Sequence, residues 1–227
     1  MLLREVDYAR PGTVDEAISL LGTYDGARAL AGGQTIVNVM KARAATPDVL
    51  IDLADLAELR TIGFSSDGLL EIGAMVTYAQ LVASSEVDVA RPILGEVAAT
   101  IGDVQVRNRG TIGGNVCVSD PTNHFPPLLV AIGASFTIRG SGGERVVPAD
   151  EFFIGVYMTA VAEGELLTKA SVPPMPELLE LYRLRWDLTE ISLYVALFRA
   201  PHTDTADTRT AWNGLRHSLQ ALSALPS

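Results

Sequence analysis

Apolar residues along this chain come in short runs whose period switches between helix-like and strand-like, with glycine or proline at many of the switches. Pro11-Gly12 closes an extended start. Thr13 and Glu16 then have capping-box spacing, and the apolar positions from Val14 to Leu21 predict a helix. Ala27 to Leu30 is a short apolar run that predicts a buried strand, and Ile36 to Ala42 predicts a helix. Asp48 to Asp52 and Leu69 to Met75 read as further strands. Thr77 and Gln80 form a second capping box ahead of a helix from Tyr78 to Ser84, and Pro92 opens an apolar helix to Ile101. Gly102 to Gly110 reads as a polar loop, and Pro126 to Ile132 as a helix. Ser135–Arg139 and Arg145–Val147 flank Gly140-Ser141-Gly142-Gly143, a hairpin signal. Leu166 to Val172 is one more strand. Pro173-Pro174-Met175-Pro176 is the linker candidate. Beyond it, Leu178 to Ala200 alternates imperfectly and predicts two strands, His202 to Thr210 is polar and unpatterned, and Trp212 to Leu225 carries a weak helical period. Short strands and helices in mixed order predict an α+β fold.

Composition narrows the function. The chain has 227 residues, enough for a large core, and 27 acidic against 17 basic residues give a net charge of -10. That field repels phosphate backbones and argues against nucleic acid as a partner. No run is long and apolar enough for a membrane helix, and Met1 to Asp7 lacks the pattern of a signal peptide, so a cytoplasmic protein is the expectation. Cys117 is the sole cysteine, which excludes an internal disulfide and a cysteine-ligated cluster made by this chain alone. A small buried core residue is the expectation for it. His124, His202 and His217 are too scattered to suggest a metal site.

Two glycine turns carry the chemical signal: Ala31-Gly32-Gly33-Gln34-Thr35 and Thr111-Ile112-Gly113-Gly114-Asn115. Each glycine pair alone is an ordinary turn, and neither turn is a Gly-x-Gly-x-x-Gly fingerprint or a phosphate-binding P-loop. Together, with flanking Gln, Thr and Asn, they form two places where backbone N–H groups can approach one long, phosphate-bearing ligand. The first turn lies on an expected strand–turn–helix, the setting in which anions meet backbone donors.

These residues also carry a resemblance. Ala31 to Thr35 with Met40-Lys41-Ala42-Arg43, and Gly110 to Asn115 with Ser119-Asp120-Pro121, resemble the two flavin loops of the FAD-binding medium subunits of molybdenum hydroxylases. The type is that of the carbon monoxide dehydrogenase medium subunit and the xanthine dehydrogenase FAD subunit, within the PCMH flavin fold. Pro11 to Ala17 resembles the family's first helix. The resemblance implies a two-lobed FAD-binding domain over residues 1–176, with lobes of about 1–55 and 56–176. Residues 177–227 would then be a partial, apparently truncated α+β C-terminal domain. It implies FAD as cofactor, with Ala31, Gly32, Gly33, Gln34, Thr35, Thr111, Gly114 and Asn115 around the pyrophosphate. Ile101 would pack on the adenine, Leu166 or Leu167 would border the isoalloxazine, and Arg183 would approach the flavin ring. His124 stands where relatives commonly place a carboxylate for ribose hydroxyls, and an imidazole makes fewer such bonds. The alternative for His124 is a plain helix-start residue.

The function implied is electron transfer: from a molybdopterin-containing large subunit, through an iron–sulfur small subunit, to this FAD and an external acceptor, in a hetero-oligomer. No side chain is expected to be catalytic, because the flavin carries the chemistry. Two alternatives differ in class: a stand-alone PCMH-type flavin oxidoreductase, which would need its own substrate pocket and base, and a flavin-free interaction protein.

Overall fold

The computed structural model describes residues 4–174, 191–199 and 203–223. The chain divides into two compact units, Met1–Pro174 and Met175–Ser227. The first holds strands and helices in mixed order, an α+β arrangement built on two principal sheets.

The smaller sheet is parallel. Its strands are β1 (Asp7–Ala9), β2 (Ala27–Leu30) and β3 (Val49–Asp52), in the order β1-β3-β2. Parallel neighbours need crossovers. Helix α1 (Val14–Thr23) links β1 to β2, and α2 (Ile36–Lys41) with its following loop links β2 to β3. Val14, Ala17, Ile18 and Leu21 form the buried stripe of α1, at the i, i+3, i+4, i+7 spacing the sequence displays. They pack with Ile51, Leu53, Leu56 and Leu59 into one core. Thr13 caps α1 by accepting from the Glu16 N–H, but the Glu16 carboxylate accepts from Gly12 N–H, one residue outside a strict capping box.

The larger sheet is antiparallel. It contains β4 (Ile62–Phe64), β5 (Leu70–Gly73), β6 (Ser135–Gly140), β7 (Gly143–Pro148) and the late strand β10 (Leu166–Val172), in the order β4-β5-β10-β6-β7. Six short helices lie between β5 and β6: α3 (Tyr78–Ala83), α4 (Ser85–Ala90), α5 (Pro92–Thr100), α6 (Val104–Arg109), α7 (Ile112–Val118) and α8 (Phe125–Ala131). A short α9 (Ala149–Phe152) and a two-stranded ribbon, β8 (Phe153–Gly155) with β9 (Met158–Thr159), precede β10. Phe136, Phe152 and Phe153 cluster in this core, with ring centroids 4.3 Å apart for Phe136–Phe152 and 5.8 Å for Phe136–Phe153.

Several expectations are corrected. The stretch expected as a polar loop from Gly102 contains α6, because the Asp103 carboxylate caps it by accepting from Val106 N–H at 2.8 Å. Helix α4, unread in the sequence, starts the same way on Ser84, which accepts from Val87 N–H. Cys117 is exposed on α7 and is not a core residue. In the second unit, residues 191–199 are helical (α10) where strands were expected, and α11 (Ala206–Ser223) begins inside the stretch read as unpatterned. Thr205 and Thr208 explain that start: each backbone N–H donates to the other's hydroxyl, at 2.8 and 3.2 Å. Phe198 and Trp212 meet edge to face at 5.5 Å.

The aromatic cluster tests the larger core. Phe136→Ala is expected to cost about 3–5 kcal/mol, because its buried ring leaves a cavity. Urea unfolding of the two proteins reads this directly; a loss under about 1 kcal/mol would show that the site collapses around the gap.

Candidate cofactor site

The two glycine turns meet backbone to backbone. Strand β2 ends at Leu30, paired with Asp52, and delivers Ala31 to Thr35. A Cβ on Gly32 would overlap the carbonyl oxygen of Arg109 and come within 3.0 Å of the Gly110 Cα. Gly33 has φ +75°, a conformation glycine adopts without strain. A Cβ on Gly114 would lie 3.6 Å from the Ala31 methyl. The first turn therefore rests on the residues that lead into the second, and only glycine fits at the point of contact.

The backbone donors of the two turns differ. Among the described residues, the N–H groups of Gly32, Gly33, Gln34 and Thr35 donate to no other protein oxygen, and all four residues are half-buried or exposed. In the second turn the four backbone donors from Ile112 to Asn115 are already engaged. Ile112 N–H donates to Val76 O at 3.0 Å and Gly113 N–H to Ala74 O at 2.9 Å. Gly114 N–H donates to the Thr111 hydroxyl at 3.0 Å, and Asn115 N–H to Thr111 O at 3.0 Å. Thr111 is thus the N-cap of α7. Free backbone donors lie on the first turn, while the second offers a surface without side chains and the Asn115 carboxamide.

That carboxamide is partly unsatisfied. Asn115 is 8% exposed, and its Nδ2 donates to the Tyr78 hydroxyl at 2.9 Å. Its Oδ1 is buried and has no hydrogen-bond partner among the described residues. A buried orphan acceptor of this kind costs free energy until a donor reaches it. Tyr78 is itself buried and stacked on Phe125, centroids 5.7 Å apart and planes at 13°. Burial pushes the Tyr78 phenol up from its ordinary value, with the Asn115 hydrogen bond opposing the shift. It therefore stays neutral through the physiological range.

The remaining expected residues scatter. Ile101 is half-buried at the end of α5, packed against the larger core, and its carbonyl accepts from the Arg107 guanidinium at 3.2 Å. Arg107 also donates to Gly102 O at 2.9 Å, so it braces its own loop. His124 is exposed at the start of α8 and makes no capping bond with its side chain. Leu167 lies buried in the larger core, while its neighbour Leu166 belongs to the smaller one. Arg183 lies outside the described residues. Tyr78 escaped sequence reading as a site residue: only its position after Thr77 marked it, and that signals a helix start.

A family model described as the FAD binding domain in molybdopterin dehydrogenase matches residues 4–175. This chain belongs to that family. Its cofactor is FAD. The chain is 42% identical over 175 residues to the carbon monoxide dehydrogenase medium chain of Hydrogenophaga pseudoflava, covering 76% of this chain and 60% of that protein. It is 39% identical over 178 residues to the medium chain from Afipia carboxidovorans, covering 78% of this chain and 61% of that one. Among solved structures, carbon monoxide dehydrogenase from H. pseudoflava superposes with a TM-score of 0.76 at 42% identity, over 78% of this chain and 62% of that one. Quinoline 2-oxidoreductase from Pseudomonas putida 86 gives 0.75 at 35% identity, over 78% and 61%. The chain spans about three fifths of the length of the curated relatives it matches.

The residues present fit FAD. The cofactor's pyrophosphate accepts hydrogen bonds only, which matches the unengaged donors from Gly32 to Thr35. Its ribityl and ribose hydroxyls are donors, and a donor is what the buried Asn115 Oδ1 lacks.

Gly32→Ala tests the contact. The methyl would force the two turns apart, so FAD affinity is expected to fall by at least about a hundredfold, while the far-ultraviolet circular dichroism stays unchanged. Fluorescence titration of FAD into the two apoproteins checks it. Equal affinities would show that the turns need not touch to bind.

Proposed function

We propose that this chain is the FAD-binding, electron-transfer subunit of a molybdenum-containing hydroxylase or dehydrogenase. The observation that carries the reading is the close contact of the two glycine turns inside a domain matched to this family over residues 4–175. Bound FAD would supply the redox chemistry, exchanging electrons at its isoalloxazine ring. Everything the chain itself does is binding and orientation. Gly32, Gly33, Gln34 and Thr35 hold the pyrophosphate through backbone N–H groups. Ala31, Thr111 and Gly114 close the other wall, and Asn115 receives a hydroxyl. Ile101 and Leu167 are proposed as apolar boundary near the adenine and the isoalloxazine, His124 as a contact for the ribose, and Arg183, which lies outside the described residues, as a partner of the ring.

The single cysteine of this sequence cannot by itself ligate an iron–sulfur cluster, so clusters that feed this FAD would lie outside residues 1–227. The medium-chain names of its relatives support a hetero-oligomer; the partners in this reading are a molybdopterin-containing large subunit and an iron–sulfur small subunit. Substrate chemistry then belongs to the molybdenum subunit. Residues 1–176 form the FAD domain, with 177–227 as part of a C-terminal domain. The end of the family match at residue 175 and the unit boundary after Pro174 support that division. No helix among the described residues is long and apolar enough to cross a membrane. We place the protein in the cytoplasm.

The purified chain is expected to release close to one equivalent of FAD on heating, read from its flavin absorption bands. Gly114→Asp is expected to bind none, because the carboxylate would press on Thr111 and Ala31 and repel the pyrophosphate. Affinity capture from its own cells should recover molybdenum and iron with the flavin. A chain that holds FAD but brings neither metal would overturn the subunit reading and leave the FAD site standing.

A further inference from the structure

Tyr78 touches the second turn at three points. Its N–H donates to Gly110 O at 3.1 Å. Its ring edge leaves no room for a side chain on Gly110, where a Cβ would lie 2.6 Å from Cε2. Its hydroxyl accepts from Asn115 Nδ2 at 2.9 Å. Gly110 is also the residue whose Cα faces Gly32 of the first turn. One buried aromatic side chain thus abuts the junction of both turns and also holds the carboxamide of Asn115. Its own position is fixed on every side. The Thr77–Gln80 capping box sets the start of α3, an isolated bridge pairs Thr77 with Thr111, and Phe125 stacks on the ring.

We propose that Tyr78 is a positioning residue for FAD: by engaging Asn115 Nδ2 it fixes the carboxamide so that Oδ1 remains free for a hydroxyl of the cofactor. The inference rests on the FAD reading above. An asparagine side chain left to rotate would present its acceptor only part of the time, and each binding event would have to stop that rotation. A carboxamide already tied by its nitrogen end has that freedom removed before the ligand arrives. The Nδ2 bond and the orphan Oδ1 are two ends of one rigid plane, so the hydroxyl of Tyr78 acts on FAD without touching it.

Removing the hydroxyl alone isolates this effect, since Tyr78→Phe keeps the ring, the stacking on Phe125 and the contact with Gly110. FAD is titrated by fluorescence quenching into apoprotein of the wild type, Tyr78→Phe, Asn115→Ala and the double variant, and the thermal midpoint of each apoprotein is recorded. The expected result is about tenfold weaker FAD binding in each single variant. The double variant is expected to lie no lower than Asn115→Ala, because both changes remove the same contact. The midpoint of Tyr78→Phe should move by no more than about 4 °C. Additive losses, approaching a hundredfold in the double variant, would overturn the proposal, as would a Phe variant that binds FAD like the wild type. A Phe variant that loses affinity only because its apoprotein has melted would also overturn it. If the wild type itself takes up no FAD, the functional reading falls first, and this inference falls with it.

Discussion

The near-contact of Gly32 with the Arg109–Gly110 backbone is the constraint on which the site depends. Backbones at that separation exclude any side chain, so the first turn sits flush against the segment that leads into the second. This contact is one of several that join the two parts: Arg139 on β6 also pairs with Asp15 on α1 at 2.7 Å, and Met75 and Leu166 lie in the smaller core. The smaller core's strand β2 delivers the first turn at its end, and the second is the N-cap and first turn of α7, packed on the larger core. Both turns are anchored at their near ends: β2 is paired to β3 up to Leu30, and Thr111 is bridged to Thr77.

A division of labour follows from how the donors are used. The second turn is tightly self-bonded, with Ile112, Gly113, Gly114 and Asn115 all donating inward. It is a wall. The first turn's N–H groups donate to no other described residue, and in the proposed reading they are the electrostatic half of the clamp. Gly113 illustrates the difference: a Cβ there would lie 2.6 Å from the Ala74 carbonyl oxygen, so this glycine serves packing and not a ligand. Two motifs that look alike in sequence therefore do different jobs, and only their hydrogen-bond partners tell them apart.

Much of this was legible in the sequence. The paired glycine turns, the α1 stripe from Val14 to Leu21, the Thr77–Gln80 box and the β6–β7 hairpin are local signals, carried by residues that act on near neighbours. What was not legible depends on partners distant in the chain. Nothing near Tyr78 announces Asn115, and nothing near Asn115 says which end of its amide is already engaged. The short helices α4 and α6 went unread for another reason. Each is only six residues long, so a single capping side chain outweighs composition. The sequence pattern of 191–199 alternates weakly, and the helical outcome there shows how little such a pattern decides over one short run.

Strand β10 has one more consequence. It is the last strand of the first unit to be synthesised, yet it lies in the middle of the larger sheet, between β5 and β6. Its first two residues are split between the two cores, Leu166 in the smaller and Leu167 in the larger. Until residue 172 has left the ribosome, β5 and β6 each present an open edge and neither core is closed. The larger sheet, unlike the smaller one whose strands are complete by Asp52, cannot close before its final strand, and a nascent chain stalled before that point would expose two unpaired edges.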